Sequence, residues 1–198
     1  MTCFFALLLL SAACLAQSAP FVQEHSRGVN QNPPGVKLAI ETVDGRSSFR
    51  LSDLIRFKLT FTSQETNVYT IDTAAGASAA ASSTDFIIDG PGLSAPIHSQ
   101  SIYPLVYVCC NSYRHYLSRS PVMISSGPLI SLKRIERFPD AQTLSHLELK
   151  PGEYAVFAQT RNIMRGWPKT THDAYHAVSD IVLTSSNVLH LTIVADAP

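Results

Sequence analysis

IRFKLTFT, residues 55–62, alternates without a break: Ile55, Phe57, Leu59 and Phe61 on one side, Arg56, Lys58, Thr60 and Thr62 on the other. Successive side chains of a strand point to opposite faces, so this stretch predicts a half-buried β-strand. Upstream, Val36, Leu38 and Ile40 alternate with Lys37, Ala39 and Glu41 in the same way. Downstream, Val68–Ile71 and Phe86–Ile88 are shorter candidates, and Leu105–Cys110 is a continuous apolar run. Pro121–Ile124 and Leu129–Ile135 flank Ser125-Ser126-Gly127-Pro128, which reads as a hairpin with a short turn. After the Pro151-Gly152 turn, Tyr154, Val156 and Ala158 alternate with Ala155, Phe157 and Gln159, and Ile181–Leu183 and Val188–Val194 close the chain as strands. No apolar stripe of helical period runs beyond three turns. Many short strands separated by turn signals predict an all-β fold.

The connecting stretches carry the opposite texture. AAGASAAASS, residues 74–83, has no apolar stripe for packing and reads as a connection, and DGPGLSAPIHSQSIYP, residues 89–104, is broken by prolines and glycines and reads as loop. At 198 residues the chain suits one domain with a real core. Charged residues make up 15% of it and the formal net charge is zero, so it lacks the basic stripe that nucleic acid requires.

MTCFFALLLLSAACLAQSAP, residues 1–20, has the layout of a secretory signal peptide: a short apolar run from Phe4 to Leu10, then small residues. The run is too short to span a bilayer as a helix. The division expected is therefore a signal peptide over 1–19, cut after Ala16 or Ala19, a tether over 20–35 and one domain over 36–198. The destination expected is secretion or the periplasm. Ser-Ala-Ala-Cys14 also has the outline of a lipid-attachment motif, with Ser11 standing where that motif takes an aliphatic residue.

LKPGEYAV, residues 149–156, resembles the approach to the penultimate strand of bacterial immunoglobulin-like domains, where a tyrosine after a Pro-Gly turn pins a corner through its hydroxyl. Residues 186–194 look like the closing strand of those domains, and the pairing of Val36–Val43 with Ile55–Thr62 is similar to their first two strands. The resemblance implies an immunoglobulin-like antiparallel β-sandwich with long loop insertions over 72–104 and 111–148, and Tyr154 as the structural corner. It also implies an exported binding, adhesion or structural module, without catalytic residues. The chain departs from the pattern in having no cysteine pair to bridge two sheets.

With the signal removed, Cys109 and Cys110 are the cysteines that remain. Adjacent Cα atoms lie about 3.8 Å apart, short of the usual disulfide span. Two free thiols, a strained vicinal disulfide, and intermolecular pairing or metal binding all stay open. His172 and His176, four apart with Asp173 between them, would suit one metal ion on a helix, and a metal-binding protein or hydrolase using that loop is the alternative reading. No G-x-S-x-G, phosphate-binding loop or dinucleotide fingerprint occurs, so neither catalysis nor a cofactor is expected. The remaining candidate is the cationic, aromatic stretch holding Arg161, Arg165, Trp167 and Lys169. Such a loop at the end of a sandwich suits another protein or a cell-envelope glycan, while Trp167 alone could equally cap the core.

Overall fold

The computed structural model describes residues 17–72, 84–100, 114–124, 129–131, 149–161, 163–166 and 181–196. A helix, α1 (Ala19–Gln31), precedes the strands β1 (Val36–Thr42), β2 (Ser48–Arg50), β3 (Leu54–Ser63), β4 (Tyr69–Asp72), β5 (Thr84–Asp89) and β6 (Ile97–Gln100). Then come β7 (Arg114–Tyr116), β8 (Val122–Ile124), β9 (Leu129–Ser131), β10 (Gly152–Thr160), β11 (Ile163–Arg165), β12 (Leu183–Thr184) and β13 (Leu189–Val194). Among the described residues the fold is all-β apart from α1, and no helix is long and apolar enough to cross a membrane.

IRFKLTFT lies within β3, whose residues Phe57–Ser63 pair with the whole of β1, from Val36 opposite Ser63 to Thr42 opposite Phe57. The alternating apolar residues of the two strands are buried. β8 and β9 also pair with β3 to complete this sheet. A second sheet runs β2-β13-β10-β5-β6, with β12 on the end of β10. The two sheets share one core: Leu38, Phe57, Leu59 and Phe61 from the first pack with Phe86, Val156 and Leu191 from the second. Phe57 stacks on Phe86 with ring centroids 4.9 Å apart. A third, smaller sheet runs β11-β4-β7.

In β10, Tyr154, Val156 and Ala158 face that shared core, while Ala155 and Phe157 join Phe21 and Ile87 in a separate cluster. Helix α1 thus covers the outer face of the second sheet, and the Phe21 ring meets Phe157 edge-on at 5.0 Å. The run Tyr-Ala-Val-Phe-Ala is apolar on both faces because both faces are covered.

Three sequence expectations are corrected. Residues 20–35, read as a tether, contain most of α1. Its packing stripe is Phe21, His25 and Gly28, continued by the C-cap residue Asn32, and only Phe21 is a large apolar residue. His25 lies 4.9 Å from the Phe157 ring and its Nε2 bonds Ser185 O. Gly28 rests against Thr184, where a Cβ would come within 2.3 Å of Oγ1. The Asn32 side chain bonds both backbone groups of Thr184, each at 2.8 Å. The strands on either side of residues 125–128 are also not arms of a hairpin: β8 and β9 both run antiparallel to β3 and so share one direction. Finally, the Pro/Gly-rich stretch 89–104 contains β6, paired antiparallel to β5. The connection at 74–83 and the strand expected at 105–110 lie outside the described residues.

Candidate interaction surface

β10 ends at Thr160 in the second sheet, and after two intervening residues the chain enters the third sheet as β11. Ile163 anchors this crossing, fully buried against the shared core. On either side of that anchor stand Arg161 and Arg165, both exposed. Gly166 follows with φ +80°, its N–H donating to Val68 O at 2.7 Å, while Thr70 Oγ1 donates to its carbonyl. A left-handed φ is cheap for glycine alone, so the chain turns here at little cost.

β4 carries β11 on one edge and β7 on the other. Ile71 lies between Ile163 and His115, Thr70 lies between Met164 and Tyr116, and Arg165 lies opposite Tyr69. Ile71, Tyr69 and Leu117 turn into the core. By the alternation of strands, Met164, Thr70 and Tyr116 form a row on the opposite face. Tyr116 is 40% exposed there, and His115 is exposed on the edge strand. The small sheet thus carries Met164, Arg165 and Tyr116, with Arg161 on the segment that leads into it from β10. Neither Arg161 nor Arg165 forms a salt bridge among the described residues.

The contrast with the β1–β2 turn is instructive. There Arg46 Nε donates to Asp44 Oδ2 at 2.6 Å, and its guanidinium lies 4.6 Å from the centre of the Phe49 ring. The hydrogen bond to Arg46 holds the Asp44 carboxyl below its usual range, and the same bond raises Arg46. Those charges are already matched to each other, which leaves little for a partner.

Of the residues singled out in the sequence, Arg161 stands just before β11 and Arg165 is its last residue. Trp167, Lys169, His172, Asp173, His176, Cys109, Cys110 and Cys14 lie outside the described residues. Among the described residues no group of three or more His, Cys, Asp or Glu could hold a metal ion. Tyr154 lies away from this surface. Its hydroxyl accepts from Lys150 N–H at 3.0 Å and is directed at Lys150 O and Pro91 O, at 2.8 and 3.1 Å. Burial holds its phenol above the usual value, with the Lys150 backbone bond acting weakly against that rise. His115, Tyr116 and Met164 were not legible as a set, because β4 alone brings their distant segments together. No protein-family model matches the chain, and no curated protein is similar to it.

Proposed function

We propose that the chain is an exported, non-catalytic interaction module on an immunoglobulin-like β-sandwich, and that its contact surface is the β11-β4-β7 sheet. The fold reading draws support from strand order. The immunoglobulin pattern sets strands A, B and E together in one sheet and C, F and G in the other. The orders β1-β3-β8 and β5-β10-β13 match those runs. Tyr154, near the start of the strand that corresponds to F, bonds back to Lys150, four residues upstream, as the tyrosine corner of that fold does.

The functional reading rests on one observation: Arg161 and Arg165 are both exposed, on either side of the buried Ile163, and Tyr116 is exposed on the edge strand of the same small sheet. Arginine, tyrosine and methionine are the residues enriched at protein interfaces, and a guanidinium pairs with carboxylates in a two-point fork. The partner of this reading is a protein that presents acidic side chains.

The test is affinity capture from the native cell envelope with the wild type and with the double variant Arg161→Glu/Arg165→Glu. The reading expects an unchanged melting temperature and loss of the captured protein. Retention of the same partner by the charge-reversed protein would remove this surface from consideration. Capture of glycan alone, insensitive to the reversal, would equally count against it.

A further inference from the structure

Ser18 N–H donates to Asp89 Oδ2 at 2.7 Å, three residues before the fully buried Phe21. Asp89 ends β5 and is only 8% exposed, and Ser18 is its one side-chain partner among the described residues. Helix α1 has no acidic residue in its first turn and no side-chain cap. The negative charge that a helix start favours is therefore supplied by another element. A buried carboxylate held by a single backbone N–H remains costly until a cation joins it.

The sequence offers a way to create that cation. Signal-peptide cleavage prefers small residues one and three positions before the bond. Cys14 and Ala16 meet that preference for the Ala16–Gln17 bond. For a cut after Ala19 the third position back is the bulky Gln17, and Pro20 follows the bond. The later cut would also delete Ser18 and leave Asp89 without its donor. Hydrolysis of the Ala16–Gln17 bond consumes one water, leaving a carboxylate on Ala16 and an ammonium on Gln17. That nitrogen is three covalent bonds from Ser18 N, within about 4 Å of it. We propose that the mature protein begins at Gln17 and that its new α-ammonium group is held by the Asp89 carboxylate, so that processing completes the anchoring of α1. This rests on the reading of the chain as exported.

The experiment expresses the full 198-residue chain in an export-competent bacterial host and identifies the first residue by terminal sequencing and intact mass. The expected product starts at Gln17, with an α-amine that an amine-reactive ester labels slowly near neutral pH. In Asp89→Asn that labelling becomes several-fold faster. A start at Pro20, or a lipid-modified Cys14, overturns the proposal and leaves export standing, whereas a retained Met1 overturns export itself. A mass lower by one ammonia, from closure of Gln17 onto its own side-chain amide, overturns the ion pair, as does equal labelling of wild type and variant. If Asp89→Asn does not fold, chains made to begin at Gln17 and at Pro20 are compared by thermal melting. The longer chain is expected to melt about 5 °C higher, and equal midpoints overturn the anchoring.

Discussion

At Tyr154 one hydroxyl serves the backbone of two segments: it accepts from Lys150 N–H and faces the carbonyls of Lys150 and Pro91. The ring lies so close to Gly90 that a Cβ there would come within 2.2 Å of Cδ1. Gly90→Ala is therefore expected to displace the ring and to destabilise more than its helix or strand propensity would suggest. Tyr154→Phe keeps the packing and removes the hydroxyl, so a loss of about 1–2 kcal/mol in a urea titration is expected. The same variant has a pH signature. Burial raises the Tyr154 phenol, so the folded chain holds that proton more tightly than the unfolded chain, whose value is near 10.0. The stability this contributes is full below that value and falls as pH rises through the folded one. Alkaline unfolding of Tyr154→Phe is expected to fall less steeply than that of the wild type.

Helix α1 shows what an element can conceal. Its stripe of Phe21, His25, Gly28 and Asn32 has helical spacing, but three of its four members are polar or lack a side chain. Each of them fits a particular neighbour: His25 the Phe157 ring, Gly28 the Thr184 hydroxyl, Asn32 the Thr184 backbone. Alanine for glycine inside a helix normally stabilises by roughly 0.5–1 kcal/mol. At Gly28 the new Cβ would meet Thr184 Oγ1 at 2.3 Å and Gln159 Nε2 at 2.9 Å, so the sign reverses. Gly28→Ala is expected to cost about 1–3 kcal/mol, the range for overpacking. Phe21→Ala is expected to cost about 3 kcal/mol or more, since it empties a fully buried site facing Phe157. Loss of helical circular dichroism on that substitution, with the sheet signal retained, would show that the helix depends on this contact.

Across the whole molecule, residues 184–187 join the two large sheets. Ser185 N–H donates to Ala158 O in the second sheet, and Ser186 N–H donates to Leu38 O in the first. Asn187 then stands in for a neighbouring strand: its side chain bonds Ile40 N–H at 3.0 Å and Ile40 O at 2.8 Å. This closes part of an edge of β1 that would otherwise present unpaired backbone groups. Asn187→Ala leaves both groups without that partner and is expected to cost about 2–3 kcal/mol. Amide exchange at Ile40 is expected to accelerate ahead of the β3 core. Asn187→Asp, which keeps the acceptor and loses the donor, should recover part of the protection; equal exchange in wild type and Asn187→Ala would refute the stitch.

Alternation in residues 55–62 and 36–41 determined two strands and their buried faces, because the period of two is a property of each segment by itself. The alternation after Pro151-Gly152 marked β10 as a strand, but not that both of its faces are covered or that a helix supplies one cover. Arg161 and Arg165 could be singled out by residue type and turn context, since both belong to one stretch. Tertiary structure alone decided the rest. It placed β8 and β9 as successive partners of β3 rather than as arms of a hairpin, and found a strand in the Pro/Gly-rich segment before residue 100. It also set Tyr116 beside Met164 through β4, and put Ser18 on Asp89. Strand pairing is a choice among distant backbone donors and acceptors that all look alike in sequence. Packing settles that choice, and with it which side chains meet.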